Sequence, residues 1–122
     1  MLTFVRMTRA KTPFLPYEKA LRKMFGKKYE LDLIFATPSY MKKISTIYRN
    51  IPKSTNVLSF NIDSGHGQIV LEPDFIKKEL LKYNRSYKKH LWALYIHGLL
   101  HLKGYSHGKK MEVLENKLCL GI

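Results

Sequence analysis

The segment HGLLHLKGYSH sets His97, His101, Gly104 and His107 in the pattern H-x-x-x-H-x-x-G-x-x-H. Residues four apart on an α-helix are separated by about 40° of rotation and ~6 Å of rise, so the imidazoles of His97 and His101 leave one face within reach of a single ion. Gly104 permits the left-handed turn that ends such a helix, after which the chain doubles back and carries His107 toward the same point. Three neutral imidazole nitrogens suit zinc or another borderline divalent cation, bound at about 2.0–2.1 Å. With three protein ligands the fourth position is open, and with none of them anionic the ion keeps its full charge, enough to bring the pKa of a bound water toward ~7.

The same spacing occurs in metzincin proteases, whose general base is a glutamate directly after the first histidine. Gly98 stands there, so peptide hydrolysis by that route lacks its proton acceptor. The two remaining histidines carry different expectations. His90 shares the stripe of His97 and His101 but lies about 10 Å back along the axis, out of reach of the same ion, and is expected to be packed and hydrogen-bonded. His66, in a glycine turn, is expected to be a solvated loop residue. The lone Cys119 excludes an internal disulfide and a cysteine-rich zinc scaffold, and reads as a small buried apolar side chain in a reducing compartment.

The elements that must position these groups follow from periodicity. A first strand is expected over Leu2–Thr8. Tyr17, Ala20, Leu21, Met24 and Phe25 form a helical stripe between Pro16 and a terminating Gly26. Tyr29, Leu31, Leu33 and Phe35 alternate as in a half-buried strand. Ser39 is expected to cap a helix running to about Tyr48, with Tyr40, Ile44 and Ile47 on its apolar side, before a polar loop from Arg49 to Ser54. Val57, Leu58 and Phe60 and then Gln68–Leu71 read as two strands around an Asp63–Gly67 turn. Three helices follow: one from Pro73 to about Asn84 carrying Phe75, Ile76, Leu80 and Leu81, one from Ser86 to Lys103, and one over roughly Lys110–Leu120 with Met111, Leu114 and Leu118 on one face. The expected fold is α+β, one domain over residues 1–122, with a small mixed sheet of about four strands and about five helices packed on it.

The 122 residues include 22 Lys and Arg against 9 Asp and Glu, a formal net charge of +13, with 45% hydrophobic and 25% charged residues. That composition is globular, and the charge favours a polyanionic partner. The longest apolar run, Leu91–Leu102, is interrupted by His97 and His101 and is far short of the ~20 residues of a membrane span. Neither a membrane nor a signal-peptide core is expected, so the cytoplasm is the expected compartment.

HGLLHLKGYSH together with the upstream YRNIPKSTNVLSF resembles the YbeY family, bacterial endoribonucleases and ribosomal RNA maturation factors. The similarity is spread over Tyr48 to Ile122, about 60% of the chain, and keeps the family's order: the YR loop and TNVLSF, the Gly67–Leu71 strand with Pro73, the histidine cluster, and the Met111–Glu115 spacing. It implies one zinc ion per chain on His97, His101 and His107, and an active-site arginine at Arg49, whose planar guanidinium suits a phosphate clamp. It further implies hydrolysis of single-stranded RNA in 16S ribosomal RNA 3′-end maturation and ribosome quality control, with ribosomal RNA and the small ribosomal subunit as partners and no DNA. Three positions depart from the pattern: Ser106 where Asp usually precedes the third histidine, Ala93 where another His is frequent, and Gln68 where Asp commonly follows the glycine.

The residues are compatible with more than one use of this constellation. A metal-dependent endoribonuclease is one; attack by an activated water and attack by the 2′-hydroxyl are both open to it. A non-enzymatic ribosome-assembly factor that binds RNA and keeps a metal only for its fold is another. Hydrolysis of peptides or small amides is disfavoured by Gly98 and by the charge of +13. The lysine pairs Lys27/Lys28, Lys42/Lys43, Lys77/Lys78, Lys88/Lys89 and Lys109/Lys110 are individually ordinary solvated positions that together form a surface able to follow RNA phosphates. Tyr105, after the helix-ending glycine, is expected to pack on the core rather than stack on a base.

Overall fold

Leu31, Leu33 and Phe35 put buried side chains in alternation along one strand, and that strand organises the sheet. The computed structural model describes residues 1–105 and 108–119. Strand β1 (Leu2–Arg6) pairs in parallel with β2 (Glu30–Phe35), β2 pairs in parallel with β4 (His66–Leu71), and β3 (Val57–Asp63) lies antiparallel to β4 at the far edge, giving the order β1-β2-β4-β3. Leu33 stands beside Ile69 and Phe35 beside Leu71. Helices α1 (Tyr17–Phe25), α2 (Pro38–Arg49), α3 (Pro73–Glu79), α4 (Tyr87–Leu102) and α5 (Lys109–Cys119) complete the described elements. The mixed four-stranded sheet and five helices are the α+β arrangement that the sequence predicts.

The two faces of the sheet are covered unequally. One carries the main core, in which Leu31, Leu33, Ile69 and Leu71 meet Leu21 of α1, Ile76 of α3, Leu91, Tyr95, Ile96 and Leu99 of α4, and Met111 of α5. The other carries a smaller cluster of Ile34, Ala36, Val70 and Met41, the last from α2. Ile34, on the expected polar side of β2, is therefore buried as well. Helix α4 is apolar nearly all round and most of its 16 residues are buried, as befits a helix enclosed between sheet and neighbouring helices. Its packing on β4 is tight: a Cβ on Gly98 would meet the Ile69 side chain at 3.1 Å.

Local capping chemistry places most boundaries. Ser86 accepts from the Lys89 N–H at 3.2 Å and starts α4 as expected. Gly26, with φ 81°, ends α1. Helix α2 is capped by Thr37, which accepts from the Tyr40 N–H at 3.2 Å, rather than by Ser39. That start and the seating of Met41 and Ile44 on the sheet leave Ile47 62% exposed, off the buried side. Arg49 accordingly closes α2 instead of opening a loop, and Asn50 takes the left-handed conformation (φ 55°) after it. Helix α3 stops at Glu79, five residues early. Its end tightens into three-residue turns, Leu80 N–H to Lys77 C=O and Lys82 N–H to Glu79 C=O, and the changed phase turns Leu81 out to solvent.

Candidate active site

Helix α4 presents His97 and His101 one turn apart at its C-terminal end. Their Nε2 atoms stand 3.0 Å apart with the rings nearly perpendicular, 79° between planes. Below them the helix ends in a Schellman turn: the Gly104 N–H donates to the His101 carbonyl and the Tyr105 N–H to the Leu100 carbonyl, both at 3.0 Å, with Gly104 at φ 104°. Tyr105 packs against the core as expected. His107 and Ser106 lie outside the described residues, as does the Cys119 side chain.

A carboxylate holds the first imidazole from behind. Glu115, on α5, accepts from His97 Nδ1 at 3.1 Å. A carboxylate only accepts, so Nδ1 carries the proton and Nε2, the nitrogen facing His101, presents its lone pair. Two nitrogens that bind one tetrahedral zinc at 2.0–2.1 Å stand about 3.3 Å apart, so the 3.0 Å pair fits a shared cation to within a few tenths of an ångström. The carboxylate–histidine pairing is the outer support that such ligands usually have. Among the described residues no third His, Cys, Asp or Glu joins the pair in a metal-sized cluster.

The histidines open into a cleft of ≈ 660 Å³ whose walls also include Arg49, Thr55, Asn56, Ser59 and Leu94. The geometry is a consequence of the two-faced sheet. Arg49 ends the helix on one face, the histidines belong to a helix on the other, and they meet across the free edge of β3. The candidate arginine and two of the three candidate ligands, separated by some fifty residues in the chain, thus share one cavity.

The wall of the cleft is pinned to the core by a chain of hydrogen bonds. The Asn56 amide donates to Glu79 Oε1 at 3.0 Å while Asn56 Oδ1 accepts from the Val57 N–H at 2.7 Å. Glu79 in turn accepts from His90 Nε2 at 3.2 Å, and Arg85 donates to His90 Nδ1 at 3.0 Å. Because arginine can only donate, this fixes the neutral Nε2–H tautomer of His90. Burial is the main cause that holds its pKa below the usual histidine value, with Arg85 acting in the same direction and Glu79 against it. Buried Glu72 accepts from the Phe75 N–H at 2.8 Å, capping α3, and from Ser54 at 3.4 Å.

His90 is packed and hydrogen-bonded as its position on α4 predicts. His66 is not a solvated loop residue: it is the first residue of β4, half-buried, with Nε2 2.9 Å from Asp32 Oδ2 on the neighbouring strand. The Gln68 amide donates to the same Asp32 oxygen at 2.9 Å, a bond that an ionised carboxylate at position 68 could not make. Ala93 is buried in the core-facing part of α4. Position 98, where a metzincin has its glutamate, points at Ile69 and the sheet. Sequence reasoning gave no role to Glu115 or Asn56, although both fall in the motifs it quoted, the Met111–Glu115 spacing and TNVLSF. Glu115 lies four residues after Met111, the most deeply buried described residue of α5, and a carboxylate on that face was the available signal.

Comparison with known proteins places the chain in a family. The family described as Endoribonuclease YbeY matches residues 10–118 of this chain. The chain belongs to the YbeY family. The Endoribonuclease YbeY of Buchnera aphidicola subsp. Schizaphis graminum is 38% identical over 119 residues, covering 85% of this chain and 75% of the relative. That of Thermosipho melanesiensis is 34% identical over 108 residues, covering 82% and 78%. A solution structure from Thermotoga maritima superposes with a TM-score of 0.72 over 98% of this chain and 87% of the other at 22% identity, which establishes likeness of fold. The YbeY match takes in Arg49, Glu115 and all three histidines of the cluster, although resemblance in the motifs begins only at Tyr48.

Proposed function

We propose that this chain is a metal-dependent endoribonuclease that cuts single-stranded RNA, with one zinc ion held by His97, His101 and His107, in the 3′-end maturation of 16S ribosomal RNA and in ribosome quality control. The observation that carries the reading is the meeting of Arg49 with the His97–His101 pair in one cleft, the two Nε2 atoms 3.0 Å apart and the first ring backed by Glu115. Membership of a family described as endoribonuclease supports the substrate class. When bound, a divalent cation at this point supplies Lewis-acid polarisation of a phosphoryl oxygen or activation of a water.

The protein's own groups divide the remaining work. The Arg49 guanidinium, exposed at the mouth of the cleft, clamps phosphate oxygens and stabilises charge that develops on them. Glu115 keeps His97 in the Nδ1–H tautomer and its Nε2 aimed at the cleft. Asn56, bonded to Glu79 and through it to His90, supplies an anchored part of the cleft wall. A net charge of +13 draws a polyanion to the surface and makes its binding salt-dependent. Among the described residues no helix is long and apolar enough to cross a membrane, and the partners proposed are ribosomal RNA and the small ribosomal subunit.

The test joins elemental analysis of the purified protein to cleavage of an unstructured RNA with and without chelator. The expected result is about one tightly held zinc per chain and cleavage that disappears on chelation and in Arg49→Ala. Undiminished cleavage by metal-stripped, refolded protein contradicts the proposal. Metal and RNA binding with no cleavage by pure protein assigns the chain instead to an assembly role with a structural ion.

A further inference from the structure

Beside the cleft, on the α2 face of the sheet, Tyr48 and Phe60 stack almost flat, their ring centroids 4.5 Å apart and their planes 15° from parallel. Phe60 belongs to the small cluster beneath α2 and is partly buried there. Tyr48 is 60% exposed, so one face of its ring rests on Phe60 and the other is open to water. Each ring adjoins the cleft along the chain: Tyr48 precedes Arg49, and Phe60 follows Ser59, both of which line the cavity. From Pro38 to Phe60 the sequence carries Lys42, Lys43, Arg49 and Lys53 and no Asp or Glu, and all four cations are exposed.

A large, flat, open aromatic face supported from behind, set in a carboxylate-free basic stretch next to a phosphate-binding arginine, is the combination with which proteins hold unpaired bases: cations track the backbone while a ring takes the π-face of a base. We infer that Tyr48 is a stacking platform for one unpaired base of an RNA whose adjacent phosphate sits at Arg49. The inference rests on the endoribonuclease reading above and deepens it, since a duplex keeps its bases stacked on one another and has none to offer the ring. Single-strand preference then arises from a binding contact outside the metal centre. Tyr48 rests on Phe60 of the cluster beneath α2, on the side of the sheet away from α4, so its role is in substrate binding and register.

The experiment measures binding of the native, metal-containing protein to a fluorescein-labelled 2′-O-methyl phosphorothioate dodecamer, which resists cleavage, by fluorescence anisotropy across a salt series. Tyr48→Leu, which keeps Phe60 covered but removes the ring, is expected to weaken binding roughly five- to hundredfold. The slope of log affinity against log salt stays as in the native protein, because tyrosine neutralises no phosphate, whereas Arg49→Ala makes that slope shallower. Tyr48→Phe restores native affinity, and a dodecamer of the same backbone without bases binds native protein and Tyr48→Leu equally.

Full affinity of Tyr48→Leu for the base-bearing dodecamer, or an equal loss on the abasic one, overturns the platform and leaves the endoribonuclease reading standing. A shallower salt slope in Tyr48→Leu also overturns it, by showing that the substitution acts through a displaced Arg49. Self-association of the native chain that Tyr48→Leu abolishes, at unchanged RNA affinity, gives the ring to a second copy of the protein instead. Failure of the native protein to bind the dodecamer at all contradicts the endoribonuclease reading itself, and the platform with it.

Discussion

The two ends of α4 make opposite use of the same residue type. At the N-terminal end His90 is 1% exposed, both ring nitrogens are bonded, to Arg85 and Glu79, and its ring stacks on Tyr83 at 4.7 Å. At the C-terminal end His97 and His101 are half-buried, open into a cleft and turn their Nε2 atoms toward each other. All three lie on one stripe of one helix. What separates them is the neighbour: α3 and its following turn close over His90 with groups that match a neutral imidazole, while Val57, Leu58 and Ser59 of β3 line a cavity together with the other two. A histidine stripe therefore marks candidates for a metal, and the packing of adjacent elements decides which of them are open to one.

The sharpest way to break the comparison is to remove one histidine from each end. His101→Ala is expected to reduce RNA cleavage at least about a hundredfold, because loss of an outer partner alone commonly reduces metal affinity or activity about 10- to 100-fold. Cleavage rates measured at saturating RNA check this, and the melting of the variant, followed by fluorescence of the buried Trp92, is expected to change little. Glu115→Gln sharpens the same end. The amide still fits the space but no longer offers a charged acceptor to Nδ1, and metal affinity, read by competition with a chromophoric chelator, is expected to fall about 10- to 100-fold with the fold retained.

At the other end the effect is on stability. His90→Ala strips two bonds and leaves the half-buried Glu79 carboxylate short of a donor, a loss of about 1–3 kcal/mol in a denaturant titration. Zinc content is expected to stay near one per chain. The smallest effect is on pH dependence. Burial holds the native pKa of His90 below the ordinary histidine value of about 6.5, so the unfolded chain takes up the proton first. The stability that neutral His90 confers is thus fully present above about 6.5 and is lost as the pH falls from there toward the native pKa, by at most about 1.4 kcal/mol per pH unit. Denaturation midpoints of His90→Gln should fall less steeply than those of the native protein over pH 6.5–5.5; parallel curves remove His90 from the account.

What the sequence made legible was whatever local chemistry controls. Ser86 at the start of α4, Gly104 at its end and the four-residue spacing between the histidines act within a turn or two of the chain, and each produced the structure that the residue types imply. The mixed sheet and its helices followed from periodicity in the same way. What stayed hidden depends on distant partners. His66 looked like a loop residue beside two glycines, and becomes a strand residue because Asp32 of β2 receives it. Ile47 fitted the expected helical stripe as well as Ile44 did, and only the position of the sheet beneath α2 chose between them. Arg49 was assigned through family resemblance rather than from its own surroundings, and Glu115 was given no role, because Arg49 reaches the cleft and Glu115 the back of His97 from elements other than α4.

The most direct test of the division between the two ends is a metal count. Zinc per folded chain, measured by elemental analysis after gel filtration, is expected near one in the native protein and in His90→Ala and near zero in His101→Ala. Equal zinc in native protein and His101→Ala, or its disappearance from His90→Ala alone, contradicts the assignment of the cation to the cleft.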